Sequence, residues 1–434
     1  MDFLIDNALQ AGTIMTRARA QDYMLTIVYV CRMRLVPNGI SCILELDDQP
    51  GFQAIKSHDD GVGNSPIFAG DYAPFKPRTD VTLYAAAYAP TRGKTTKLRV
   101  TFGIGSWRKS LDLVGDRLWQ RNRTIELSEP QPFLRMPIRL ENAFGGLDSR
   151  FNPWGKGFGQ VGELSGSSLP ACNIHPADRF HAAWDRDEPP DGFGPLPPDF
   201  LPRVALRGTY DKAWLYKRKP LPPEDFDWGF YNAAPPDQQF HPYLRGDETL
   251  YFENLSPKYS NFESQLPGIR PRIILERMVP NSDRPQFEEP VARLDSIHID
   301  TEAMTVDLAW RAVVSTPHPE GEDIPLCYIA REPIDRPQPL ASHVEAILAE
   351  RAPPPPEPVI PPAEAPPPEE DEALASRAHL AHLRALVDRM PLPPKAKEAI
   401  MAAETPAAME KLLTLEVEQA TKAAQSLLAS LKNV

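Results

Sequence analysis

The sequence predicts a mainly β protein: an antiparallel, sandwich-like β-sheet body with long ordered coil, followed by a proline-rich linker and a C-terminal α-helical tail. Before residue 314, hydrophobic residues recur at every second position in several stretches, which is the spacing of strands with one buried face. Ten prolines between positions 353 and 368 favour an extended polyproline II spacer. Beyond residue 371 the apolar spacing becomes three or four, as in amphipathic helices. We therefore divide the chain into a β-rich domain (1–340), a linker (341–370) and a helical tail (371–434).

The composition argues against several function classes. The 434 residues carry a formal net charge of −12, which disfavours nucleic acid as a partner because phosphate backbones attract clustered Lys and Arg. Four scattered cysteines are too few for a disulfide framework or a zinc site, and they fit a reduced cytoplasm. The chain does not open on a basic segment, and no apolar run approaches the ~20 residues of a membrane span. We therefore expect a cytoplasmic protein with no membrane partner and no classical export signal.

The first predicted element is a β-hairpin. Every second residue from Leu25 to Leu35 is apolar, which predicts a strand, and a Pro-Asn-Gly turn at 37–39 leads into a second strand over 40–46. In that register Cys42 lies several residues from Cys31, so these two cysteines should not pair.

Three further strands are predicted to form a meander. Residues 81–88 alternate as one strand, and a turn containing Pro and Gly leads to a second strand over 98–104. Gly-Ser at 105–106 suits a two-residue hairpin loop, so residues 107–114 should fold back on the second strand.

The rest of the body is predicted to be loop-rich. Residues 147–249 are dense in Pro, Gly and aromatics, and their large apolar side chains indicate ordered coil packed over the sheet rather than disorder. Alternation returns at 294–299 and 304–310, which predicts a late hairpin, and the β domain should end near Val314.

The tail is predicted to be a helical hairpin or small bundle. Thr405 and Pro406 are suited to the N-cap and first position of its last helix. We expect the apolar stripe of that helix to contact a partner through four residues: Leu413, Val417, Leu427 and Leu431. The alternative is that the tail buries this stripe against itself or against the β body.

Two charged clusters flank the predicted meander. Their members are Lys76, Arg78 and Asp80 before it, and Arg108, Lys109, Asp112, Asp116 and Arg117 after its second strand. Charges at strand ends either form a site or pair to hold irregular segments on the sheet, and pairing is favoured because partly buried charges need partners.

Enzyme motifs are weak in this sequence. A literal GxGxxG at 157–162 lacks the strand before it and the helix after it that a dinucleotide site requires. Cys172 and His175 are close enough for metal or acid–base work but have no third ligand nearby in the sequence. Carboxylates such as Glu224, Asp225 and Asp227 leave a hydrolase open, because catalytic pairs are made in space.

Several motifs resemble one known family in that family's order. They include PFKPRTDV at 74–81, WRKSLDLVGDRLW at 107–119, PFLRMPIRLENAFGG at 132–146, NPWGKGF at 152–158 and GTYDKAW at 208–214. With these and later motifs up to Arg311, the chain resembles the domain of unknown function 2169 family, which accompanies effectors of the bacterial type VI secretion system. The proline-rich linker and the tail lie outside the resemblance.

The resemblance implies a non-enzymatic cytoplasmic adaptor or chaperone without a cofactor. Its expected partners are a secreted effector protein and the spike with its PAAR-repeat protein, on which the effector is loaded; no catalytic or metal residues carry over. The alternative is a carboxylate-based hydrolase acting on a glycan or peptide. We predict structural roles for seven residues of these motifs: Lys76, Asp80, Asp116, Arg117, Trp119, Asp211 and Trp214.

Overall fold

The protein is described here from a computed structural model, which covers residues 2–5, 10–17, 22–61, 63–90, 93–121, 124–159, 168–179, 186–280, 282, 284–351, 368–390 and 392–431. The chain divides into two compact units, Met1–Leu348 and Ala349–Val434. The first is mainly β and the second is helical, which confirms the predicted fold class. Within the described residues, no helix is both long enough and apolar enough to span a membrane.

The strands of the body are mostly short. They are β1 (Asp2–Ile5), β2 (Gln10–Arg17), β3 (Tyr23–Arg34), β4 (Gly39–Ile40), β5 (Cys42–Ile43), β6 (Lys56–Ser57), β7 (Pro66–Phe68), β8 (Thr79–Tyr84), β9 (Ala86–Tyr88), β10 (Lys97–Ile104), β11 (Trp107–Val114), β12 (Leu118–Arg121), β13 (Ile125–Leu127), β14 (Arg135–Pro137), β15 (Phe144–Gly145), β16 (Lys156–Gly157), β17 (Leu169–Pro170), β18 (Ile174–Pro176), β19 (Gln239–Phe240), β20 (Thr249–Glu253), β21 (Asn261–Gln265), β22 (Ile269–Arg277), β23 (Gln286–Glu288), β24 (Arg293–Asp300), β25 (Thr305–Thr316) and β26 (Leu326–Pro333).

The largest sheet has the strand order β19-β8-β24-β25-β3-β2, with β5 added to β3. Its neighbours are antiparallel except for the parallel pair of β8 and β24. The longest pairing joins β3 to β25 from Tyr23↔Thr316 to Arg34↔Thr305. One face of this sheet is apolar, because alternate side chains such as Ile27 and Leu308 point into the core.

A six-stranded sheet, β18-β11-β10-β20-β21-β4, supplies the other side of the core. Phe102 and Phe252 are fully buried there with rings 5.6 Å apart, in the same cluster as the apolar face of the first sheet. A four-stranded sheet, β1-β26-β22-β23, adds Ile273 and Ile329 to that cluster. The body is therefore sandwich-like, with one shared core.

The predicted meander is only partly right. The hairpin of β10 and β11 is confirmed, and Gly105 adopts the positive φ (55°) that its tight turn requires. The strand before it is not a neighbour, because β8 lies between β19 and β24 in the other sheet. Period-2 alternation shows which face of a strand is buried but not which strand lies beside it.

The first hairpin forms in a shortened version. Cys42 lies opposite Arg34, and Cys31 and Cys42 are both free, as predicted. Asn38 supplies a positive φ (56°) in the turn. The residues just after the turn, β4, pair in parallel with β21 instead of continuing the hairpin.

The late hairpin of β24 and β25 is confirmed, but the body does not end near Val314. β26 follows and pairs along β22. Among the described residues, the body also contains two α-helices: α1 (Lys212–Lys217) in the coil region and α2 (Leu340–Arg351) after β26. Ile347 of α2 packs against Ile274 and Tyr328. Residues 341–351 of the predicted linker are therefore helical, and its residues 352–367 lie outside the described part of the chain.

The coil between 147 and 249 is ordered over the sheet where it is described. Phe193 is fully buried, and its carbonyl accepts the Leu83 N–H of β8 at 3.0 Å and the Gln238 side-chain N–H at 3.0 Å. These bonds fix the coil on the edge region of the large sheet.

The tail contains α3 (Pro368–Arg389), α4 (Pro394–Met401) and α5 (Pro406–Leu431). Val387, Ile400 and Met409 form its small core, one from each helix. The Thr405 hydroxyl accepts the Ala408 N–H at 3.3 Å, so the predicted N-cap is present.

Candidate interaction surface

The first charged cluster is a buried ion pair. The Lys76 ammonium donates to Asp80 Oδ2 at 2.9 Å and to Ser296 Oγ at 2.8 Å, and the Lys76 and Asp80 side chains are each only 3% exposed. Asp80 also accepts from Asn232 Nδ2 at 2.9 Å and from the Ala233 N–H at 2.7 Å. The pair thus ties two coil segments to the end of β8.

A second buried pair lies beside it and was not predicted from the sequence. Arg311 of β25 pairs with Asp295 at the bulge of β24, and its other guanidinium N–H groups donate to the Ala73 and Asp71 carbonyls, each at 2.8 Å. Burial raises the pKa of the Asp295 carboxyl, and the Arg311 charge opposes that rise. The one feature of the sequence that could have indicated this pair is that both charged residues occupy strand positions facing away from the apolar core.

This polar layer continues along the same face of the large sheet. His298 Nδ1 and Thr82 Oγ1 are 3.0 Å apart, and burial lowers the pKa of His298 to about 4. Asp307 forms a bidentate pair with Arg32, with both contacts at 2.6 Å. The cavity enclosed by this layer has a volume of about 20 Å³, which suits one water molecule and excludes a glycan or peptide.

The second charged cluster is arranged differently from the expectation. Asp116 and Arg117 do not form a buried pair, because the Asp116 side chain is 78% exposed and its nearest cation, Lys156, is 3.7 Å away. Arg117 turns inward instead, donates to the Cys172 carbonyl at 3.1 Å and lies 2.8 Å from His175 Nε2. The buried carboxylate of this cluster is Asp112, whose pKa is lowered chiefly by its bonds to Arg99.

Cys172 and His175 do approach each other, but the geometry is not that of a nucleophile. The Cys172 sulfur is 3.9 Å from both ring nitrogens of His175, and burial raises the thiol pKa to about 12. A neutral thiol is a poor nucleophile and a poor metal ligand. Among the described residues, no group of three or more His, Cys, Asp or Glu side chains could hold a metal ion.

The glycine-rich stretch builds a pocket and not a dinucleotide fold. β16, which contains Gly157, has two residues, and Gly162 lies outside the described residues. Trp119 lies with Lys156 and Phe158 around a cavity of about 230 Å³. Burial lowers the pKa of Lys156, and the nearby Asp116 charge acts against that shift.

The motif residues Asp211 and Trp214 form the frame of a distinct surface, the α1 loop (residues 207–225). Asp211 caps α1 by accepting the Trp214 N–H at 2.8 Å, and the Trp214 indole N–H donates to the Leu221 carbonyl at 2.8 Å. Asp225 closes the loop by accepting both the N–H and the hydroxyl of Thr209, at 2.9 and 2.7 Å. These bonds fix the backbone of the loop.

The α1 loop exposes large apolar side chains on that frame. Tyr210 is 51% exposed, Leu215 46% and Tyr216 81%. Lys212, Lys217 and Lys219 are also exposed, and none of them forms an ion pair with another described residue. Exposed tyrosines are enriched at protein interfaces, so the two tyrosines and the leucine on this fixed backbone make the α1 loop a candidate interaction surface.

The three carboxylates considered for hydrolysis have structural contacts. Hydrogen bonds from Thr209 lower the pKa of Asp225, which is the opposite of what a general acid needs. Asp227 accepts the Gly229 N–H at 2.8 Å, and Glu224 is 3.4 Å from Arg218. Their arrangement does not support a hydrolase at this position.

The predicted stripe of the tail is divided by the structure. Leu413 packs against the tail's own core, whereas Val417 is 52% exposed. The side chains of Leu427 and Leu431 lie outside the described residues. Internal packing, the alternative considered from the sequence, therefore accounts for Leu413.

A comparison with protein-family models places residues 20–311 in one family, described as "Uncharacterized protein conserved in bacteria (DUF2169)". No curated protein and no solved structure matches the chain. The match covers more than half of the 434 residues and agrees with the motifs that carried the resemblance. This chain belongs to the DUF2169 family.

Proposed function

We propose that this protein is a non-enzymatic cytoplasmic adaptor or chaperone of a type VI secretion system. In this proposal it binds a secreted effector and helps to load it on the spike and its PAAR-repeat protein. The family resemblance supplies the pathway, and the α1 loop is the observation that carries the binding role.

The α1 loop supports binding because its exposed apolar groups are held in place by an internal frame. Tyr210, Leu215 and Tyr216 are exposed in one short segment, while Asp211 and Trp214 fix the backbone beneath them. An interface that is preorganised in this way loses little conformational entropy when a partner binds.

The test is co-expression of the full chain with the effector and spike proteins encoded by the genes beside its own. Wild-type protein should co-purify with the effector, and Leu215→Ser/Tyr216→Ser should retain its melting temperature but lose most of the effector. Failure of the wild-type chain to co-purify with any neighbouring effector or spike protein would refute the proposal.

We also propose that the tail provides a second contact through the exposed part of α5. Val417 lies in α5 and is 52% exposed. A tethered second site would raise the overall affinity without changing the first one.

A further inference from the structure

We propose that the α1 loop recognises an acidic protein segment that carries an apolar side chain beside its carboxylates. This inference rests on the proposed function, because it names the chemistry of the partner that the same surface would bind. It is carried by the order of side chains along α1 and by the charge of the loop.

The exposed side chains follow helical spacing. Lys212, Leu215 and Tyr216 stand at i, i+3 and i+4 of α1, so they lie on one side of the helix. The helix ends at Lys217, and Lys219 follows in the exposed turn after it. A partner of complementary shape places one apolar group against Leu215 and Tyr216.

The loop is basic in an acidic protein. Residues 207–225 contain five Lys or Arg and three Asp or Glu, although the whole chain has a net charge of −12. The three acidic groups are engaged within the loop, because Asp211 caps α1, Asp225 accepts from Thr209 and Glu224 is 3.4 Å from Arg218. Lys212 and Lys219 form no ion pair with another described residue. Cations left unpaired beside exposed apolar groups favour a carboxylate-bearing partner through charge complementarity.

The same cations could attract a nucleic acid or an anionic membrane, but one observation favours a protein segment. Leu215 and Tyr216 are exposed beside these cations, and a protein segment can cover them with an apolar side chain, whereas a phosphate backbone would place charge there.

The experiment measures binding of the full chain to three dye-labelled probes by fluorescence anisotropy. The first probe is a synthetic peptide with a leucine between two glutamates, the second has glutamines in place of the glutamates, and the third is single-stranded DNA. The variants are Lys212→Glu/Lys219→Glu and, as a control with the same charge change, Lys94→Glu/Lys258→Glu, whose lysines are exposed and form no ion pair with another described residue. Melting temperatures establish that each variant is folded.

The proposal expects the glutamate peptide to bind more tightly than the other two probes, with an affinity that falls as salt is added. Lys212→Glu/Lys219→Glu should weaken that binding by about tenfold or more, and the control variant should bind as the wild type does. Equal binding of the glutamine peptide, tighter binding of DNA, no binding of the glutamate peptide, or an equal loss in the control would each overturn it.

Effector co-purification separates this inference from the proposed function. If the wild-type chain retains the effector and Lys212→Glu/Lys219→Glu retains it equally, the adaptor role stands and the acidic-segment inference fails. If the wild-type chain retains no effector or spike protein, the adaptor role itself fails.

Discussion

Replacing Lys76 with methionine should destabilise the body strongly, because it leaves Asp80 buried without its cation. Both side chains are 3% exposed, and removing one member of a buried pair costs about 3–5 kcal/mol. The remaining bonds from Asn232 and Ala233 keep Asp80 in place, so the structure cannot relax by exposing the charge. At about 2 °C per kcal/mol for a unit of this size, the melting temperature should fall by about 6–10 °C.

Asp116→Ala is the matched control from the other charged cluster. Its side chain is 78% exposed, its nearest cation is 3.7 Å away and it accepts one hydrogen bond from Asn173 Nδ2 at 3.0 Å, so the loss should stay at about 1 kcal/mol. Urea unfolding followed by tryptophan fluorescence measures both variants. In a double-mutant cycle, Lys76→Met/Asp80→Asn should cost less than the sum of the single changes, because the second change removes the unpaired charge. Equal, small losses for Lys76→Met and Asp116→Ala would refute the reasoning.

Three further predictions concern other parts of the chain. Burial lowers the pKa of His298 from 6.5 to about 4, so as pH falls the unfolded state binds a proton before the folded state does. The free energy of unfolding should therefore fall by up to about 3 kcal/mol between pH 6.5 and 4. His298→Gln should reduce this dependence on pH in urea titrations between pH 7 and 4.5, and an unchanged dependence would contradict the prediction. Cys42 is exposed, whereas the other three thiols are buried and have pKa values of about 12. A thiol reagent should therefore label one cysteine quickly at neutral pH, and Cys42→Ser should abolish that fast phase. A fast phase that survives in Cys42→Ser would be inconsistent with the burial of the other three thiols. Truncation after Ala352 should leave the body's melting temperature unchanged, because the packing of α2 is retained, and should weaken effector or spike binding in a pull-down; full binding without the tail would exclude the proposed tail contact.

The sequence predicted the local hairpins correctly, but it did not predict the pairing between strands that are distant in the chain. Alternation and turn residues identified the β10–β11 and β24–β25 hairpins, since a two- to four-residue turn fixes both partners. β8 was placed beside the wrong strand because its parallel partner, β24, is separated from it by more than two hundred residues. β26 was missed because its pairing with β22 is also set by distant parts of the chain.

The roles of the charged residues were also hard to predict, because they depend on contacts with distant parts of the chain. Lys76 and Asp116 are alike in the sequence, because each stands at a strand end near an opposite charge. The structure separates them by burial, which depends on whether coil from another part of the chain covers the site. Asn232 and Ala233 cover Asp80, whereas Asp116 stays open to solvent. Arg311 could not be matched with Asp295 because that pairing depends on the register of two strands and a bulge between them.

Burial also determines which basic residues can meet a partner. Lys76, Arg311 and Arg32 are each held by a carboxylate within the polar layer of the large sheet, so binding an external anion there would first require breaking an existing pair. Lys212 and Lys219 have no such carboxylate among the described residues and stand beside exposed Leu215 and Tyr216. For them an acidic partner would supply the first ion pair and would remove apolar surface from water in the same step. An acidic segment that bound at the α1 loop would therefore not have to break an existing ion pair of Lys212 or Lys219 with a described residue.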